Sequence, residues 1–461
     1  MKVNLTPLEI LKKYFNKHKE EIQNDFVTFL RFKSISTEKE HLCDINSCIL
    51  WLKHQIESIG FTTKLWETIG HPTLFAENCE AGVDKPTILI YNHYDVQPVD
   101  PLDLWKNPPF EPFLEGQTVY ARGAQDNKGQ CMYVFQALKA LSILKNTFPI
   151  NIKWIIEGEE EAGSKGLAAL LPTKKKELKS DYLAVVDLGI PKADVPSITL
   201  GVRGLVTMDI QAFGSNTDLH SGTHGGRAYN PNHALVEILA KLRDQQGKIC
   251  IPGFYDDVLE LTENEKEKLS FEFDESAYFD TFALKSTGGE LNYSPLERST
   301  IRPTIEINGI IGGYTGDGFK TVIPACASAK LSCRLVPNQD PEKIGNLVAN
   351  YLQSLAPEGI KIKVNVHSGK GIAVRANPDS EIVKAFSEAY SDVFDKKCSY
   401  TFEGGSIPII AKLMEACGGE VIMMGMGLDS DQIHAPNEHF DMNRFEKGFL
   451  VMSRGLELLG K

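Results

Sequence analysis

At 461 residues the chain exceeds what one ordinary hydrophobic core supports, so two domains are expected. Its formal net charge of -12 argues against a nucleic-acid partner, because phosphate binding needs clustered Lys and Arg. Hydrophobic content of 42% with 24% charged residues reads as a soluble globular protein, and no apolar run approaches the ~20 residues of a membrane span.

Residues 7–32 are expected to form one amphipathic helix, with Leu8, Leu11, Tyr14 and Phe15 on a stripe. Lys, Glu and apolar residues mix over 5–29, unlike a signal peptide. A second helix over 45–59 stops at Gly60, and short strands follow at 61–65 and 71–76. The apolar run 87–91 reads as a buried strand. It ends in His93, one spacer and Asp95. In open α/β sheets ligands collect where strands end, so chemistry is expected at this tip.

From there the pattern alternates. Residues 119–122 lead into Gly123-Ala124-Gln125-Asp126-Asn127-Lys128-Gly129 and a mostly apolar helix over 130–144. A strand over 151–156 ends in Glu157-Gly158-Glu159-Glu160-Glu161. After another helix, a strand over 182–186 ends at Asp187. Strand, polar tip, helix, strand is the pattern of an α/β fold with a mostly parallel sheet flanked by helices. Asp126 lies 33 residues after His93, Glu160 lies 34 after Asp126, and Asp187 lies 26 after Glu161. A strand–helix–strand unit takes about 30 residues, so a possible ligand recurs once per unit.

The character changes near residue 200. Strands at 197–200 and 206–213 read as antiparallel, and a helix over 231–244 presents Leu235, Ile238, Leu239 and Leu242. Residues 254–300 read as an acidic, irregular surface excursion. Strands at 304–307, 327–335 and 360–366 and a helix over 341–355 complete an α+β layer. A helix over 379–394, a strand at 420–424 and a helix over 443–459 resume the parallel pattern. The expected organisation is a catalytic domain of 1–200 and 376–461 interrupted by an inserted domain of 201–375. The glycine-rich stretch 312–321 imitates a phosphate loop, but a strand follows it where phosphate cradling needs a helix N-terminus. The nine cysteines include no Cys-x-x-Cys pair, which fits a reducing, cytoplasmic location.

The polar tips supply His93, Asp95, Asp126, Glu160, Glu161 and Asp187, and His434-Ala435-Pro436-Asn437-Glu438 adds a second histidine. Oxygen and imidazole donors without thiolate suit catalytic zinc, manganese or cobalt. Two histidines and three carboxylates exceed one catalytic ion but fit two ions sharing a bridge. Such a pair, ~3.5–4 Å apart, can hold hydroxide and polarise an amide carbonyl. A proton shuttle is still needed, and one of Glu160 and Glu161 can ligate while the other stays free. Asp95 can accept the second N–H of His93.

In order along the chain, Tyr91 to Pro98, Arg122 to Gly129, Glu157 to Gly166, Asp218 to Gly226, Arg334 to Pro337, Glu403 to Pro408 and His434 to Glu438 resemble the blocks of a known family. It is the dizinc peptidase family of cytosolic nonspecific dipeptidase, carnosine dipeptidase, carboxypeptidase G, aminoacylase and succinyl-diaminopimelate desuccinylase, and the dipeptidase branch is the most similar. The resemblance implies that His93 and Asp187 bind one ion, Glu161 and His434 the other, with Asp126 bridging. Glu160 would be the general base and acid, Asp95 would orient His93, and the Asp126–Asn127 peptide would be cis. The inserted domain would be a ferredoxin-like lid that forms a homodimer. From it Arg334 would hold the substrate carboxylate, and His220, together with Thr321, would stabilise the oxyanion in the neighbouring subunit's site. Gly405 and Ser406 would line the substrate pocket. One position departs: Asn377 stands where such dipeptidases carry a histidine, which bears on substrate preference. The expected activity is hydrolysis of dipeptides or short peptides. An N-acyl amino acid deacylase or carboxypeptidase on the same scaffold is the alternative, and a metal- or ligand-holding protein without catalysis is a third reading.

Overall fold

The computed structural model describes residues 5–262, 266, 269, 273–405 and 407–461. It divides into two compact units. The first holds the chain up to Leu200, Ala376–Thr401 and Ile409–Lys461, and the second holds Gly201–Arg375 and Phe402–Pro408.

In the first unit the sheet runs Thr62–Trp66, Thr73–Asn78, Asn151–Glu157, Thr87–His93, Tyr182–Gly189, Glu420–Gly427 and then Ser197–Val202. Its centre is parallel: Thr87–His93 lies between Asn151–Glu157 and Tyr182–Gly189, and Glu420–Gly427 follows Tyr182–Gly189. The edges are antiparallel. Ile88, Leu89 and Ile90 are fully buried, as a strand covered on both faces requires. The Lys128–Lys145 helix packs on Met442–Leu459, which packs on Glu381–Phe394. Lys128–Lys145 is buried almost all round, which explains its weak polar face. Among the described residues no helix is long and apolar enough to cross a membrane.

The expected single helix over 7–32 is two, Pro7–Lys17 and Lys19–Leu30. His18 breaks it at φ −105° and ψ 12°, with its ring stacked on Tyr14. Each half buries its own stripe, so one continuous period was not needed. A strand at Ser399–Glu403 and a helix at Ile409–Cys417 add to the expected elements. So does a small sheet of Phe113–Glu115, Thr118–Tyr120 and His439–Asp441. In it His439 pairs with Tyr120 across more than 300 residues of chain.

The second unit carries a four-stranded antiparallel sheet in the order Thr304–Gly312, Cys326–Leu335, Gly204–Phe213, Lys361–Val366. The helices Pro231–Ala240 and Pro341–Ser354 pack on it, which makes the unit ferredoxin-like. Val206, Met208, Ile210 and Ala212 alternate into its core, and the residues between them face the other way. Both strands read as antiparallel are so, each with its own partners and in different sheets: Ser197–Val202 with Glu420–Gly427, and Gly204–Phe213 with Cys326–Leu335. One expectation changes here. The described residues of 254–300 are less irregular than expected, since they include helices Glu275–Phe282 and Pro295–Thr300; 263–265, 267, 268 and 270–272 lie outside the described residues. Arg298 donates to the carbonyls of Gly288 and Ser286, and Arg302 pairs with Glu290, so charged side chains anchor the segment from inside. The stretch 312–321 leads into the short strand Val322–Ile323, not a helix.

Candidate metal centre

Each polar tip leaves the first unit's sheet or an adjoining loop by a different route. His93 ends Thr87–His93, and Asp187 lies on the neighbouring Tyr182–Gly189 strand. Asp126 precedes the Lys128–Lys145 helix, and its peptide to Asn127 is cis. Glu160 and Glu161 begin a short turn after Asn151–Glu157. His434 lies beyond Glu420–Gly427 at φ 59°.

These side chains converge. His93 Nε2 is 3.1 Å from Asp126 Oδ1 and 3.5 Å from Asp187 Oδ1. His434 Nε2 is 3.0 Å from Asp126 Oδ2 and 3.2 Å from Glu161 Oε2. Asp126 therefore offers one oxygen to each side. The groups His93, Asp126, Asp187 and Asp126, Glu161, His434 each place their donor atoms within 4.8 Å of one another, close enough to hold a cation. Their nitrogen and oxygen donors fit the two divalent ions inferred from composition. Glu160 contributes to neither group.

Buried hydrogen bonds hold the frame. Trp154 donates to Asn92 Oδ1, and Asn92 donates to Asn127 Oδ1 at 2.7 Å. Asn127 in turn donates to Asp187 Oδ1 at 2.5 Å. Glu438 accepts from Arg122 and from the N–H groups of Gly123, Gln125 and Asp126, at 2.8 to 3.0 Å. That one carboxylate clamps the loop that presents Asp126. Arg444 grips Asp431 through two bonds of 2.6 Å and steadies the segment leading to His434. Gln97 donates to Glu161 Oε2 at 2.7 Å.

Asp95 meets His93 through its backbone and its side chain. The nearest acceptor for His93 Nδ1 is the Asp95 carbonyl at 3.1 Å, with the carboxylate Oδ1 at 3.4 Å. The carboxylate accepts the N–H groups of Glu160 and Glu161, both at 3.1 Å. It thus orients the acidic turn as well as the imidazole.

Electrostatics follow from burial. Burial raises Asp126, yet hydrogen bonds from His434 and His93 outweigh it and hold its carboxyl well below the usual range. Burial, then the charge of Asp126, pushes Glu161 up to about 7. Hydrogen bonds to Asp126 and Glu161 raise His434 to about 10. Burial raises Glu160 well above an ordinary glutamate, and the charges of Asp187, Glu161 and Asp126 add to it, against His93. A carboxyl raised from the ordinary range toward the working pH suits proton exchange.

His220, Thr321, Arg334 and Gly405 lie in the second unit, and Asn377 in the first. Leu219–His220 pairs with Val322–Ile323, and the Ser221 N–H donates to the Thr321 carbonyl at 3.1 Å, so His220 and Thr321 are near neighbours. His220 Nδ1 accepts from Gly222 N–H at 3.0 Å. Arg334 sits on Cys326–Leu335 opposite Leu205. The Gly405 carbonyl accepts from Arg203 N–H at 3.0 Å. Ser406 lies outside the described residues. Asn377 caps a turn by accepting the Asp379 N–H at 3.0 Å. Asn92, Gln97, Asn127, Arg203 and the Glu438 clamp were not singled out from sequence. A polar Asn92 inside an otherwise apolar strand was the one local sign.

The sequence description of Peptidase family M20/M25/M40 matches residues 89–457. The Cys-Gly metallodipeptidase dug1 of Schizosaccharomyces pombe is 33% identical over 414 residues, 87% of this chain and 85% of that protein. Among solved structures, the M20 family metallo-carboxypeptidase Sso-CP2 of Sulfolobus solfataricus is similar at a TM-score of 0.84 and 34% identity, covering 95% of this chain and 99% of that one. Human carnosine dipeptidase 1 is similar at a TM-score of 0.80 and 27% identity, covering 99% of each.

Proposed function

Because this chain belongs to Peptidase family M20/M25/M40, we propose that it is a dimetal metallopeptidase that cleaves dipeptides or short peptides. The observation that carries this reading is two three-donor groups sharing Asp126, with the unshared acid Glu160 beside them. His93, Asp126 and Asp187 would hold one ion and Asp126, Glu161 and His434 the other. Zinc fits these donors, and manganese or cobalt would also be accepted. Bound there, the ions would supply Lewis acidity to water and to the scissile carbonyl. Glu160 takes a proton from the attacking water and returns it to the leaving amine. Asp95 holds the Glu160–Glu161 turn through two N–H groups, keeping one acid on the ion side and one free. Arg334 receives the substrate carboxylate, Gly405 and Ser406 line the pocket, and His220 with Thr321 stabilises the oxyanion.

In this reading residues 201–375 are the lid of a homodimer and residues 1–200 and 376–461 the catalytic domain. Ile307, Ile310 and Ile311 are exposed on the edge strand Thr304–Gly312, a surface that favours pairing with a second copy. All nine cysteines are free thiols, which supports a reducing, cytoplasmic setting. The likeness to Sso-CP2 favours a second reading, release of a C-terminal residue from longer peptides.

A panel of dipeptides, tripeptides and N-acetyl amino acids, run with zinc, manganese and cobalt in turn, separates these. Dipeptide turnover well above the others is expected. Exclusive cleavage of longer peptides would favour the carboxypeptidase, and exclusive deacylation would overturn both peptidase readings. Glu160→Ala is expected to keep its metal content and lose roughly 10²–10⁴-fold in kcat.

A further inference from the structure

Leu205 lies opposite Arg334 in the antiparallel ladder between Gly204–Phe213 and Cys326–Leu335. Arg203 is the single residue between the strands Ser197–Val202 and Gly204–Phe213, two residues before Leu205. Its guanidinium is lowered to about 10, by burial first and then by the like charge of Arg334, while Glu403 and Glu306 act the other way.

Arg203 is also bound to the loop that carries Gly405. Its backbone N–H donates to the Gly405 carbonyl at 3.0 Å, and its Nε donates to the Gly404 carbonyl at 2.8 Å. A Cβ at Gly404 would lie 3.2 Å from Arg203 Nη2 and 2.5 Å from the Ser299 carbonyl, so only glycine allows this approach. Behind it, Arg203 Nη1 reaches the Arg302 carbonyl at 3.5 Å. Arg302 is itself held by Glu290 and stacked on Tyr293, 4.3 Å from the ring centre. Glu290 and Tyr293 thus back, through Arg302, the arginine that fastens the Gly404–Gly405 loop.

We propose that Arg203 is a positioning residue for the substrate's carboxylate: it fixes the Gly404–Gly405 loop near Arg334, so that its loss is felt by ligands with a free C-terminus. A structural arginine without this role would affect all ligands alike. This inference rests on the dipeptidase reading and on Arg334 as the anion's direct partner.

The test compares Arg203→Met and Arg203→Lys with the unaltered enzyme, each metal-loaded and of equal metal content. KM and kcat are measured for a dipeptide with a free carboxylate, and Ki for its C-terminal amide as a competing ligand. For Arg203→Met, KM is expected to rise about tenfold or more, with kcat within about threefold and Ki for the amide unchanged. Arg203→Lys keeps the charge but loses the planar fork, so an intermediate KM is expected. It also serves if Arg203→Met does not fold. Equal losses for dipeptide and amide, or an unchanged KM, overturn the proposal while leaving the dipeptidase reading intact. If the unaltered enzyme neither cleaves nor binds the dipeptide, both fall.

Discussion

The two halves of the metal centre share Asp126 but are built in opposite ways. On one side His93 is fully buried and Asp187 nearly so, at 7% exposure. On the other, His434 is 51% exposed and rides a loop. The inner half rests on adjacent parallel strands and on the Trp154–Asn92–Asn127–Asp187 relay, whose members are buried. The outer half depends on the Arg444–Asp431 pair and on Gln97. A rigid sheet holds one set of donors, and a tethered loop delivers the other. The inner ion should therefore be structural in character and slow to leave, and the outer one exchangeable.

The strongest way to break this comparison is Asp126→Ala, which takes a donor from both halves. Both ions are expected to be lost, with activity falling at least roughly 10³-fold. Metal stoichiometry by mass spectrometry checks it, and one tightly held ion would show that the halves are independent. Next in size is the contrast between His93→Ala and His434→Ala. Removing His93 leaves buried carboxylates short of a partner, so the metal-free protein should lose about 1–3 kcal/mol in denaturant unfolding. His434→Ala should cost less than about 0.5 kcal/mol and surrender only the outer ion. Equal destabilisation would remove the distinction.

The smallest effect concerns pH. Glu161 and His434 have raised values, so each holds its proton to higher pH than an isolated group. A cation must displace those protons, so its affinity is lower at pH 6 than at pH 8 and climbs as pH passes about 7, where Glu161 titrates. Calorimetry in buffers of different ionisation heat should register proton release. Equal affinity at the two pH values would contradict the assignment of Glu161 to the outer half.

Some of this was written locally. The apolar run before His93 announced a buried strand, and Ile88 to Ile90 are fully buried. Residues 206–213 read as an antiparallel strand, and Val206, Met208, Ile210 and Ala212 face the core. Donor chemistry was legible too, since imidazole and carboxylate without thiolate restrict the ion whatever the fold. Each of these is a property of neighbouring residues, because side-chain direction repeats every two residues in a strand and every 3.6 in a helix.

Other features had no local trace. His18 splits a stripe that continues on both sides, and Ser197–Val202 and Gly204–Phe213 join different sheets although one residue separates them. Glu438 clamps a loop more than 300 residues earlier, and Tyr120 pairs with His439. Sequence alone determined which segments could bury apolar surface and which atoms could bind a cation. Tertiary structure decided which of those atoms meet, because a hydrogen bond or shared ligand depends on a separation of about 3 Å, and distant segments acquire that only when the chain closes on its core.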